Sequence, residues 1–159
     1  MTDQLDLSAV PALMHGRTYQ QNVAGETFRT AARTITEADV VTFVTLAGMN
    51  EPLFMDESGA KAAGYTGRLV PGTLTFTYAE GLVMQSGVIH GTGMAFLGST
   101  MDVKAPVFVG DTITVVVEVL EVRPTSKGDR GIVTTRNTVV KSDGSVVLVY
   151  EPKRMILGD

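Results

Sequence analysis

Few side chains in this chain are suited to moving protons, and they are scattered. There is no cysteine, and there are two histidines, His15 and His90. A thiolate nucleophile and a cysteine-held zinc are therefore excluded, and cysteine usage says nothing of the redox compartment. His90 lies in SGVIHGTG, a glycine-rich stretch between an apolar helical segment and a strand-like run. Its imidazole titrates near neutrality, which makes it a candidate acid or base, although a solvated loop histidine is the plainer reading. His15 sits in an irregular N-terminal arm. The two histidines have no clustered carboxylates around them, so no metal-ligating spacing emerges. The stretch AGMNEPLFMD, residues 47–56, has the outline of an active-site loop: a helix runs into Gly48, then Pro52 and Asp56 open new segments. Where reactive groups are expected, it holds Met49 and Phe54. Glu51 is the nearest carboxylate able to exchange a proton, with a solvated or capping role as its alternative. Asp56 reads as a helix cap.

These residues sit on a chain whose pattern divides in two. In TEADVVTFVTLAG, Thr36 is an N-cap, Val40, Phe43, Val44 and Ala47 recur at helical spacing, and Gly48 is a stop. A short helix, ESGAKAA, follows Asp56 and ends at Gly64. The segment TLTFTYAEGLVMQS, residues 73–86, is apolar nearly all round and reads as a buried central helix after Pro71-Gly72. Glu80 is the carboxylate within it, expected at its surface or as a cap. From residue 94 the pattern turns to strands. MAFLGSTMDVKAPV leads to the turn VGD, and DTITVVVEVLEVR alternates at Ile113, Val115, Val117 and Val119. The polar loop PTSKGDRG, the strand IVTTRNTVVKS and a tight DG turn follow. In the closing strand SVVLVYEPKRMIL, Pro152 predicts an edge or a bulge. GETFRTAARTI, residues 25–35, reads as a further strand. The expected architecture is α+β: one domain over residues 1–159, with an irregular arm over 1–24 and a long helix against a curled antiparallel sheet. An edge strand left open would invite a second subunit.

Composition narrows the function classes. Thirteen basic against seventeen acidic residues give a formal net charge of −4, which argues against charge-driven nucleic-acid binding. The start MTDQLDLSAV lacks a basic region before an apolar core, and no apolar run reaches the ~20 residues of a membrane span. A cytoplasmic enzyme or binding protein, with no membrane partner, is the expectation.

Five pieces, in this order and spacing, carry a family resemblance: TITEADVVTF, AGMNEPLFMD, GYTGRLVPGTLTFTYAEGL, KAPVFVGDTITVVVEV and RPTSKGDRG. From about Thr36 to Leu157 the chain resembles the MaoC-like acyl-thioester dehydratases and hydratases of the hot-dog fold. In that family the loop typically reads Gly-Asp-x-Asn-Pro-Leu-His followed by an acidic cap. The Asp and His activate water for addition to an enoyl thioester, or run the reverse elimination. Gly48, Pro52, Leu53 and Asp56 match. Met49, Glu51 and Phe54 stand in the Asp, Asn and His places, and Pro71 stands where members often have a histidine before the central helix. The resemblance also implies that the backbone at Gly72 and Thr73 holds the thioester carbonyl, at a helix start with free N–H groups.

Met49, Leu53, Phe54 and Tyr65 are candidate walls of an acyl pocket, or simply core. Lys104, Arg123, Lys127 and Arg130 are candidate contacts for coenzyme A phosphates, or ordinary solvated charges. Three functions remain open. One is a hydratase or dehydratase with a relocated acid or base, Glu51 or His90. Another is a non-catalytic acyl-thioester-binding subunit, as a homodimer or as a heteromer with an active hot-dog chain. The third is a thioesterase using Glu80. None requires a cofactor beyond coenzyme A as part of the substrate, and an acyl-carrier thioester would serve equally.

Overall fold

Residues 11, 12 and 14–159 are described by the structure, a computed structural model; the start of the irregular arm lies outside them. Local sequence sets the helices. At the head of α1 (Glu37–Ala47), the Thr36 hydroxyl accepts from the Asp39 N–H while the Asp39 carboxylate accepts from the Thr36 N–H. Two donors that a helix start leaves free are thereby satisfied. Gly48 then takes a left-handed φ of 69° and turns the chain out of the helix. The single turn α2 (Pro52–Met55) has proline in its first position, where a missing N–H costs nothing. Asp56 caps α3 (Glu57–Ala62), accepting from the Gly59 N–H at 2.7 Å as expected. A Cβ on Gly59 would collide with the Pro52 carbonyl oxygen, so the two short helices pack only with glycine there.

The central helix α4 (Gly72–Gln85) lies against an antiparallel sheet of β1 (Thr27–Arg29), β2 (Arg33–Thr34), β3 (Gly93–Val103), β4 (Thr112–Pro124), β5 (Arg130–Lys141) and β6 (Val146–Leu157). The strand order is β1-β4-β5-β6-β3, with β2 also pairing β4. Leu74, Ala79, Leu82 and Val83 of α4 share one core with Ile113, Val115, Val117, Val139, Val147 and Tyr150 of the sheet. The period-2 alternation of β4 therefore turns its valines toward the helix. The expected α+β arrangement, a long helix wrapped by a curled sheet, is what forms.

Two expectations need correction. Residues 25–35 form two short strands rather than one. Thr30 interrupts them, its N–H donating to the Val115 carbonyl while its hydroxyl accepts from the Val115 N–H. Pro152 is not at an edge: β6 runs between β5 and β3. Proline is tolerated because the β5–β6 ladder lapses opposite it, between Thr134↔Lys153 and Asn137↔Tyr150. The sheet ends on the short β1 and β2 at one side and on the long β3 at the other. Both faces of β3 are exposed, and Met94, Phe96, Leu97, Met101 and Val103 are 41–56% accessible. Among the described residues no helix is long and apolar enough to cross a membrane.

Candidate active site

The loop after α1 meets the start of α4 at a cleft of about 360 Å³, lined by Leu53, Phe54, Tyr65, Val70, Gly72 and Lys104 among others. Pro71, at the N-cap of α4, has no side-chain acceptor to offer. Leu74 and Thr75 donate to the Pro71 carbonyl at 3.0 and 3.1 Å. The N–H groups of Gly72 and Thr73, first in the helix, are left without an intrahelical acceptor. A Cβ on Gly72 would come within 3.2 Å of Val103 Cγ2, so the end of β3 presses directly on this backbone. A carbonyl entering the cleft would find free donors and the positive end of the helix dipole together.

The loop carries no proton-transfer group into that cleft. Met49 is half-buried and packs on the core beside Thr73, whose hydroxyl lies 3.5 Å from its sulfur; it does not line the cleft. Phe54 does line it. Glu51 occupies the N-cap position of α2, but its carboxylate caps nothing and remains in solvent. The sequence reading missed what holds this loop. Arg68, with a side chain only 10% exposed, pairs with Glu37 at 2.9 Å and donates to the Phe54 carbonyl. The signal lay in GYTGRLVPG, where a cation directly precedes the buried Leu69 and Val70.

A second lock ties α1 to α4. The Tyr78 hydroxyl donates to Asp39 at 2.7 Å, Arg33 donates to the same carboxylate at 3.0 Å, and the guanidinium lies 3.7 Å from the Tyr78 ring centroid. Burial alone would raise the Asp39 pKa. The hydrogen bonds from Tyr78 and Thr36, with the Arg33 charge, outweigh it and hold the carboxyl at about 2. Burial first, and then the bond to Asp39, push Tyr78 up to about 12.

Glu80 is not at the surface. It is 8% exposed, and its carboxylate accepts from Arg154 of β6 at 2.5 Å. It lines a separate cleft of about 400 Å³ with His90, Met84, Met94 and Phe96. The structure thus brings together Glu80 and His90, separate candidates in the sequence, at the end of β3 opposite the loop cleft. The cations divide in the same way. Lys104 lines the loop cleft and lies 3.2 Å from Asp102. Arg123 and Lys127 are exposed at the far hairpin, and Arg130 there pairs with Asp129 at 2.6 Å. The twelve residues of β5 separate these ends, roughly 40 Å at ~3.3 Å per residue. Among the described residues no three His, Asp or Glu side chains gather as a metal site.

A curled antiparallel sheet around one helix, with the helix start opening on a cleft, is the hot-dog architecture. The chain aligns with a Mycobacterium tuberculosis protein that has a double hot-dog fold, at a TM-score of 0.79 and 21% identity, covering 91% of this chain and 45% of that one. That likeness concerns the fold alone. The MaoC like domain family matches residues 19–141. A tomato (Solanum lycopersicum) protein, 3-hydroxyacyl-[acyl-carrier-protein] dehydratase FERN, mitochondrial, is 30% identical over 79% of this chain and 72% of its own length. The (R)-specific enoyl-CoA hydratase of Aeromonas caviae is 31% identical over 72% of this chain and 81% of its own. The chain belongs to the MaoC-like family of hydratases and dehydratases.

Proposed function

We propose that the chain binds an acyl-CoA thioester at the loop cleft, with its carbonyl on the Gly72 and Thr73 N–H groups, and that alone it hydrates enoyl thioesters slowly. The observation that carries this reading is the uncapped start of α4 opening on a cleft beside a loop that keeps its family shape but holds Met49 and Phe54. Carbonyl binding needs only backbone, whereas hydration needs a base for water and an acid for the α-carbon. Glu51, turned to solvent, supplies neither.

The test is calorimetric titration with coenzyme A, butyryl-CoA and hexanoyl-CoA. Burying three alkyl carbons at ~0.8 kcal/mol each gives butyryl-CoA about 2 kcal/mol over the free thiol, roughly 30-fold. Equal affinity for acylated and free coenzyme A would remove the assignment.

The open β3 edge favours a second element of this reading: the working unit pairs β3 with β3 of another copy, or of a related hot-dog chain. A long apolar strand exposed on both faces is an association site unless something covers it. Antiparallel pairing about Gly98 sets Gly93 of one copy opposite Val103 of the other. The loop cleft of each chain then adjoins the Glu80–His90 cleft of its partner. The same reversal carries the second copy's Arg130 end toward Lys104.

A further inference from the structure

We propose that the cleft floored by Glu80 and Arg154 takes the far end of the acyl group, and that it selects a chain ending in a neutral hydrogen-bonding group such as a hydroxyl, in preference to a plain alkyl chain. The inference rests on the acyl-thioester reading and on β3–β3 pairing, which makes this cleft the continuation of the partner's loop cleft.

The pair is almost removed from solvent, with side chains 8% and 11% exposed, yet both residues face the cleft. Its bonding capacity is only partly used. A guanidinium has five N–H donors. Arg154 directs one terminal nitrogen to Glu80 and the other to the Thr135 hydroxyl at 3.3 Å. Glu80 accepts through Oε1. Behind the pair the polar network is also short of partners. Tyr150 and Asn137 are fully buried, and the Tyr150 hydroxyl, which faces Asn137 and Glu80, and Asn137 Nδ2 complete no well-formed hydrogen bond among the described residues. The cleft walls, by contrast, are largely apolar: Met84, Ile89, Met94 and Phe96.

A plain alkyl end pressed onto this floor would strip the last water from a charged pair and return nothing. A carboxylate end would meet Glu80, with Arg154 already neutralised. A hydroxyl fits both halves, donating to the glutamate and accepting from the guanidinium, while the methylenes behind it contact methionine and phenylalanine. Stability does not account for the pair, since buried ion pairs are commonly matched or surpassed by apolar packing.

The experiment compares matched probes on the intact wild-type protein: butyryl-CoA against 4-hydroxybutyryl-CoA, and hexanoyl-CoA against 6-hydroxyhexanoyl-CoA, with free coenzyme A as reference. At least one hydroxylated member should bind tenfold or more tighter than its plain partner. The double variant Glu80→Leu with Arg154→Met removes both charges together and should reverse that preference. Met84→Trp fills the cleft from α4 without touching the pair, and should abolish the preference even if the double variant does not fold. Plain chains binding as tightly as hydroxylated ones in both pairs would overturn the proposal while leaving thioester binding intact. A hydroxyl preference that survives in both variants would remove its assignment to this cleft. If no acylated form binds more tightly than free coenzyme A, the underlying functional reading fails first, and the proposal with it.

Discussion

Asp39→Asn isolates the lock between α1 and α4. The wild-type carboxylate accepts four hydrogen bonds: the Thr36 N–H and the Thr36 hydroxyl, both at 2.8 Å, Tyr78 at 2.7 Å and Arg33 at 3.0 Å. Asparagine keeps one acceptor oxygen. Turned to Tyr78 and Arg33, it presents an NH₂ group to the two Thr36 donors and the carboxylate half of the capping box is lost, at about 1 kcal/mol, while the Thr36 hydroxyl still accepts from the residue 39 N–H. Losing the charge beside Arg33 and Tyr78 costs about another 1 kcal/mol. A second route reaches a similar figure. A folded pKa of about 2 against an ordinary carboxyl value of 3.8 is worth at most ~2.5 kcal/mol, and solvent screening brings that to roughly 1–2 kcal/mol.

The pH dependence has a definite sign. Because the folded pKa is depressed, the contribution is complete above the unfolded value near 4 and is lost as pH falls through the folded value near 2. The asparagine of the variant does not titrate. Urea denaturation followed by far-UV circular dichroism should therefore show wild type ahead by about 2 kcal/mol near pH 6, with the gap closing steadily below about pH 4. A gap that stays constant from pH 6 down to 3, or one smaller than ~0.5 kcal/mol at pH 6, would refute the reasoning that this carboxylate is ionised and bonded in the fold.

Three further outcomes follow from the same geometry. Met49→Asp with Phe54→His, and Glu51→Asn to complete the loop, should raise crotonyl-CoA hydration more than tenfold over a slow wild type, read as loss of enoyl absorbance. If wild type is already fast and Glu51→Ala leaves it unchanged, the loop is not where the chemistry was lost, and His90→Gln is the next variant. Tyr150→Phe deletes a buried hydroxyl that faces Glu80 and Asn137 without a well-formed bond to either, so thermal unfolding should show no loss of stability; a loss above ~1 kcal/mol would mean the hydroxyl is engaged. Leu97→Lys puts a charge in the middle of β3, so sedimentation at micromolar concentration should show wild type as a dimer and the variant as a monomer. A monomeric wild type would remove the paired-edge picture.

The elements were legible where one segment decides its own structure. Thr36, Gly48 and Asp56 each act through a neighbour within four residues, so α1 and α3 could be read with their caps. The alternating valines of β4 needed only a period of two. The resemblance located the loop and the helix start. What stayed hidden depends on contacts distant in sequence. Glu80 and Arg154 are 74 positions apart, and nothing near Glu80 announces a cation, so a carboxylate in a helix was read as surface. Between an edge and a bulge at Pro152 its own strand does not decide: strand order settles whether a proline lies at an edge, and order is a property of the whole sheet. The separation of Lys104 from Arg123, Lys127 and Arg130 likewise follows from strand direction, which puts consecutive turns at opposite ends.

The loop is also held in shape by residues other than those at the two places where the resemblance puts chemistry. In the family pattern the acid–base pair occupies the places of Met49 and Phe54, yet neither place is what holds the backbone here. Gly48 supplies the left-handed turn and Pro52 the fixed start of α2. Asp56 caps the exit, and Arg68 fastens the Phe54 carbonyl to the head of α1 through Glu37. Met49 and Phe54 are both half-buried against the core, Phe54 while also lining the cleft, and add apolar contact that ionisable side chains could not. The backbone of this loop is thus held by residues other than those at positions 49 and 54. The start of α4 is independent of the loop side chains as well, because its first peptide groups are set by Pro71, Gly72 and the pressure of Val103. On the proposed reading, carbonyl binding would rest on backbone alone and proton transfer on side chains, so a change in one need not disturb the other.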